Sequence, residues 1–407
     1  MNTSRAAAMR ERRFGIPLVA LAMVVAACAP QAQPSPSAAV TQPSAAASES
    51  PGSASPSAAA SESPTTAGPQ LTDEFSVQHA AWATQTVDTS AFKKDGPYNI
   101  ATIVQGPTNG WGTIFDTVMN HTLKESGQIA DQLYVPWDFT TESQANGIDD
   151  AIAKKVDLIL LAALSRAGLK DPVERAVAVS IPVVTCMATV AGDGPTVDVS
   201  RNIPLQGYDS AKGLAGALGG QGKVVLLHGI AGVDAAEFWR SGAMAALAET
   251  PGIEVVAEEY GNWSVSDATD VMRAVLTANP QIDGVWVGGL EMGVSVINAF
   301  KEASRPLPKM AGTNPINGFL RLAIENDIEF FAAPFPPGAS KLCVETAFKV
   351  LNGESVPRFI EVADAMEGTQ PFGSDQAEEH YNPKFNDDWI GPAVVPDEVY
   401  IEAKFGR

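Results

Sequence analysis

At 407 residues the chain is long enough for two lobes but not for many domains. Its formal net charge of −20, with four arginines spent in the first thirteen residues, argues against a nucleic acid or an anionic membrane surface as partner. The four histidines, His79, His121, His228 and His380, are scattered without ligand spacing, so no metal site and no cofactor are expected.

Residues 1–28 read as an export signal. Arg5, Arg10, Arg12 and Arg13 precede an apolar run over 16–27 that is too short to span a bilayer. The run ends in VAAC, which resembles the lipobox of bacterial lipoproteins, with Cys28 as the residue that would be lipidated. Residues 29–70 are almost entirely Ala, Ser, Pro, Thr, Gln and Gly. Such a segment has too little apolar bulk to offset its ordering entropy, and reads as a disordered tether reaching about 35–40 Å. Residues 71–97 form an N-terminal extension.

From 98 onward short β-branched runs alternate with helical patterns. The runs YNIATIV (98–104), DQLYVPW (131–137), VDLILLA (156–162) and IPVVTC (181–186) are separated by helical spacing over 112–126, 142–154 and 169–179. After about residue 203 the rhythm restarts with KVVLLH (223–228), IEVVAEEY (253–260), GVWVG (284–288), KMAGT (309–313) and IEFFAA (328–333), and its clearest helix lies over 268–280. Strands that are continuous rather than alternating apolar runs suit parallel sheets covered on both faces. The expected fold is α/β: two doubly wound parallel-sheet lobes joined by a hinge. The first lobe spans 98–203, completed by about 336–356, and the second 204–335. No regular fold is read over 357–407. Cys186 and Cys343 could pair in an exported chain, though their apolar settings favour two buried thiols.

In such folds a ligand sits outside the carboxyl ends of the strands. The loops there hold Asn109 and Trp111, Asp138, Cys186 and Met187, Trp239 and Arg240, Trp263, Leu290, Asn314 and Phe335, and they are rich in tryptophan. Trp111, Trp239 and Trp263 either line a cleft or fill a core. The forked donors of Arg240 suit a hydroxyl pair or a carboxylate. Glu291 sits at a helix start, where a dipole role competes with ligand contact. The glycine run GLAGALGGQGK (213–223) lacks the spacing and the Ser or Thr of a phosphate loop and precedes a strand. No G-x-S-x-G elbow is present.

Over about 98–353 the chain resembles type 1 periplasmic binding proteins of the ribose-binding kind, which serve ABC sugar importers. The matching stretches are KVVLLHGIAGVDAA, DVMRAVLTANPQIDGVWV followed by LEMG, and the G-A-x-x-x-x-V-E-T run ending at Thr346. The resemblance implies a monomer, lipid-anchored outside the cytoplasm, that captures a small polar ligand (sugar-like, polyol or ring-containing) for an ABC permease and performs no chemistry. The alternative output is to report the ligand to a membrane receptor or kinase. Asn109, Trp111 and Trp263 match family contact positions, and the family arginine after GIAG falls near Trp239 and Arg240. Cys186 and Met187 stand where many sugar binders have Asp-Arg, Asn314 where they have Asp, and Gly289 and Leu290 where they have Asn-Asp. These departures imply weak or no ribose binding and a ligand with an apolar face.

Overall fold

The computed structural model describes residues 71–405, so the signal sequence, Cys28 and the tether lie outside the described residues. The strands are Thr86–Asp88 (β1), Tyr98–Val104 (β2), Ile129–Pro136 (β3), Leu158–Leu161 (β4), Val183–Cys186 (β5), Val197–Ser200 (β6), Gly222–His228 (β7), Ile253–Tyr260 (β8), Gly284–Val287 (β9), Lys309–Thr313 (β10), Phe330–Ala333 (β11), Ser355–Pro357 (β12), Phe359–Glu361 (β13) and Phe372–Gly373 (β14). They build two six-stranded sheets, in the orders β13-β6-β5-β4-β2-β3 and β14-β11-β10-β9-β7-β8. All neighbours in the first sheet are parallel, as are those of the second except β14. Strands β4, β5 and β9 are buried at every position, as parallel strands covered by helices on both faces must be.

Helices begin where the sequence supplies a cap. Asn109, Thr140, Asn202 and Ser264 each accept a backbone N–H from the first turn of the helix that follows them. Helix Gly110–Glu125 follows β2, and helix Asp234–Ala248 follows β7. Strand ends, and thus the loops after them, therefore point toward the junction of the lobes.

Three crossings join the lobes: after β6, after β11, and between β13 and β14. Arg201, buried on the first crossing, ties all three together. Its Nη1 donates to Pro334 O at 2.6 Å and Thr369 O at 2.8 Å, and its Nε lies 3.2 Å from Glu361.

The terminal segments also bridge the lobes. Helix Glu74–Trp82 places His79 Nε2 2.6 Å from Asp198 Oδ2 on β6, and the His79 ring stacks on Phe359 at 4.0 Å. The same helix sets Phe75 5.0 Å from Phe238 of the second lobe. Residues 357–407, where the sequence predicts no regular fold, supply one edge strand to each sheet and a helix, Asp397–Phe405. From this segment Trp389 and Tyr400 join the core of the second lobe together with Ile114 and Val118 of the first-lobe helix.

Candidate functional site

A cavity of about 70 Å³ lies at the strand ends between the lobes. That is small beside the roughly 150 Å³ cavity that admits benzene. Eight expected residues line it: Asn109, Trp111, Cys186, Met187, Trp239, Trp263, Asn314 and Phe335.

The walls are aromatic. Trp111 lies nearly parallel to Phe335 at 5.6 Å, and Trp239 meets Phe335 edge-on at 5.2 Å and Trp263 edge-on at 6.3 Å. Every indole N–H in the cavity is already used. Trp111 donates to Phe335 O at 2.8 Å, Trp137 to Ala162 O at 3.0 Å, Trp239 to Gln206 Oε1 at 3.1 Å and Trp263 to Gly288 O at 2.7 Å. The rings therefore offer only carbon surface to a ligand.

The polar groups are few. Gln105 Nε2 donates to Thr108 Oγ1 at 2.8 Å and to Asn109 Oδ1 at 3.3 Å, and Asn109 Oδ1 also caps its helix at Gly112 N. Two buried oxygens lack a partner: Asn314 Oδ1 and Glu291 Oε2. Burial pushes the Glu291 carboxyl from its ordinary value near 4.5 up to about 8. Gly289 gives it room. A Cβ there would stand 2.8 and 2.9 Å from the Glu291 carboxylate oxygens, at a φ of +129°.

Three expected residues lie elsewhere. Arg240 points out of the cleft, where its Nε donates to Glu258, whose carboxylate is also 3.2 Å from His228 Nε2. Neighbours on a helix point about 100° apart, so Trp239 and Arg240 cannot both face the cavity, and the larger apolar ring takes it. Leu290 is fully buried in the second-lobe core, because an apolar side chain beside Phe319 and Val296 gains more there than at a wet cleft. Asp138 is exposed and closes a local turn, its Oδ1 accepting from Thr140 N at 2.9 Å and Thr140 Oγ1 at 2.6 Å.

The cavity also holds residues not anticipated as site residues: Gln105, Trp137, Ala162, Ala163, Ala188, Val233, Ala235 and Glu291. Gln105 directly follows β2 and Ala162 directly follows β4, so the strand-end rule applied to every strand points to both. Nothing in the residue types of the alanines marks them as lining.

Cys186 and Cys343 are free and buried. Burial pushes the Cys186 thiol up, with the Cys343 thiol in hydrogen-bonding reach as a second cause. No group of three or more His, Cys, Asp or Glu residues able to hold a metal occurs among the described residues. No helix among them is long and apolar enough to cross a membrane.

Residues 100–355 match the model of a family described as a periplasmic binding protein domain. The chain belongs to this family. Its curated relatives include a xylitol-binding protein from Mycolicibacterium smegmatis, 27% identical over 53% of this chain and 62% of that protein. A ribose import binding protein from Escherichia coli is 24% identical over 67% of this chain and 90% of its own. The alignment thus spans less than two thirds of the first relative. An ABC transporter solute-binding protein from Bacillus halodurans with bound myo-inositol superposes with a TM-score of 0.63 at 19% identity, covering 70% of this chain and 98% of that one. One from Mycobacterium smegmatis with bound glycerol also gives 0.63, at 22% identity, covering 72% and 99%. The expected architecture of two doubly wound lobes is the one these structures share, and the family is one of extracytoplasmic binding proteins.

Proposed function

We propose that the protein captures a small polyol- or sugar-like ligand between its lobes and presents it to an ABC permease. The observation that carries this is the cavity itself. It is built by loops from both sheets, so a ligand touching both lobes stabilises the closed state over the open one. No covalent chemistry is required of any residue in it. The relatives' named ligands, xylitol and ribose, support a hydroxylated small molecule. The expectation of weak ribose binding stands on the aromatic, cation-free wall. Residues 29–70 would tether the folded part to a membrane through lipid on Cys28, and the protein acts as a monomer.

The test is a thermal-shift and tryptophan-emission screen of the purified folded part against sugars, polyols, nucleosides and amino acids. A true ligand at 100 times its Kd adds about 2.7 kcal/mol of stability. If no compound raises the melting temperature or changes emission, the capture reading is refuted. Cys28→Ser tests the anchor separately: the variant protein should leave the membrane fraction or accumulate unprocessed, and normal processing with membrane retention refutes lipidation.

A further inference from the structure

We infer that the ligand of this cleft carries an ammonium group, held by the Glu291 carboxylate beside the indoles of Trp239 and Trp263. This rests on the capture reading above and narrows its ligand class. Three observations converge on it. First, the unpartnered buried polar atoms lining the cavity are oxygens, Glu291 Oε2 and Asn314 Oδ1; burial keeps the Glu291 carboxyl protonated below about pH 8, and a docked ammonium replaces that proton with donors of its own beside the ionised carboxylate. An ammonium offers three donors and no acceptor. Second, no Lys, Arg or His lines the cavity, so the Glu291 side chain has no cation of the protein facing it there. Asp388, which lines the adjoining cavity with Glu291, has its own partner and is a further acid rather than a base. Third, the indoles of Trp239 and Trp263 line the cavity with their N–H groups engaged, and a cation over an indole face is attracted to it, whereas Trp111 is already stacked on Phe115 and Phe335. A neutral polyol uses none of the third feature and finds few free donors for its own oxygens.

The placement is specific to this chain. Glu291 reaches the cleft because residue 289 has no side chain: a Cβ there would overlap both its carboxylate oxygens and Trp263 Cδ1, the last at 2.9 Å. Its neighbour Leu290 turns into the core, so one residue of the loop packs and the next meets the ligand.

Matched probes test the inference. Serinol and glycerol differ by one amine for one hydroxyl, as do glucosamine and glucose. Calorimetric titration should show the amine of at least one pair binding about tenfold tighter than its neutral partner, the scale of one added charge contact. Glu291→Gln keeps the shape and should reduce that ratio to near one. Glu291→Asp, which keeps the charge, should retain a preference for the amine and shows that loss in the Gln variant is not misfolding. Neutral partners binding as tightly as the amines, or a Glu291→Gln ratio equal to the parent's, overturns the ammonium assignment and leaves capture intact. If neither these probes nor the broader panel bind, capture and the ammonium assignment fall together.

Discussion

Gly229 ends β7's loop entry, and the indole of Trp263 lies on it. A Cβ at 229 would stand 2.1, 2.4 and 2.4 Å from Trp263 Cε2, Cζ2 and Nε1, so Gly229→Ala displaces the ring. The displaced indole gives up its hydrogen bond to Gly288 O, a loss of about 1 kcal/mol. It also gives up the edge contact with Trp239, roughly 0.5–1.5 kcal/mol more. Together the loss is about 2 kcal/mol, or roughly 3 °C in Tm for a folded part of this size. Gly229 does not sit at positive φ, so alanine adds no backbone strain to the comparison. Ligand affinity should drop further, by about 1–3 kcal/mol, the scale of removing a buried aromatic surface. Gly216→Ala is the control: a Cβ there meets nothing within 4 Å on helix Ile203–Ala217, and alanine should hold or raise Tm. Scanning fluorimetry and ligand titration followed by tryptophan emission read both variants. A Gly229→Ala protein with parental Tm and parental affinity refutes the packing of Trp263 on Gly229 and its part in recognition.

Three further perturbations separate the remaining claims. Arg201→Met strips the bonds across all three crossings and leaves the partly buried Glu361 without its cation, so urea unfolding should show a loss of about 3 kcal/mol, and a loss below about 1 kcal/mol would show that the crossings hold without it. Arg240→Ala breaks a half-exposed pair with Glu258 and should cost about 0–1 kcal/mol with ligand affinity unchanged, whereas a tenfold weaker ligand returns Arg240 to the site. Glu291 has a folded-state pKa of about 8, above the ordinary 4.5, so its contribution to the unliganded protein's stability is full below pH 4.5 and is lost as pH rises toward 8. The other ionisable group lining that cavity, Cys186, is pushed up by burial and stays neutral through this window. The Tm of Glu291→Gln relative to the parent should therefore climb between pH 5 and 8, and a flat difference refutes the burial of an unpaired carboxyl.

The strands and the strand-end loops were legible because parallel strands buried on both faces leave unbroken apolar runs, as in KVVLLH and in LILL of VDLILLA. Strand β6 was not, since VDVS puts an acid at its centre. Asp198 is buried there only because His79 and Thr185 meet it, and His79 comes from the N-terminal extension. Strands β13 and β14, of three and two residues, are too short to show any period. In the site, residue type found the tryptophans, but the phase of one helical turn decided between Trp239 and Arg240. Glu291 was visible as a helix-start acid, and only the missing side chain at Gly289 turns it toward the cleft.

Positive-φ residues gather at helix ends and just after strands. Among the described non-glycine residues at positive φ, Lys155, Ser180, Ser304 and Asp327 fall within two residues of a helix C-terminus, where a left-handed residue commonly ends the helix. Phe139 and Asn262, after β3 and β8, have no such reason and do not line the cavity; neither have Met187, Trp263 and Asn314 such a reason. Each of these last three sits within three residues of the end of β5, β8 or β10, and each lines the cavity. Glycine would relieve roughly 1–3 kcal/mol of strain at each position. A side chain is kept there against that cost, while at Gly229 and Gly289 a side chain is omitted so that Trp263 and Glu291 can occupy its place. Local rules broken in both directions around one small space are what a binding site imposes on a chain.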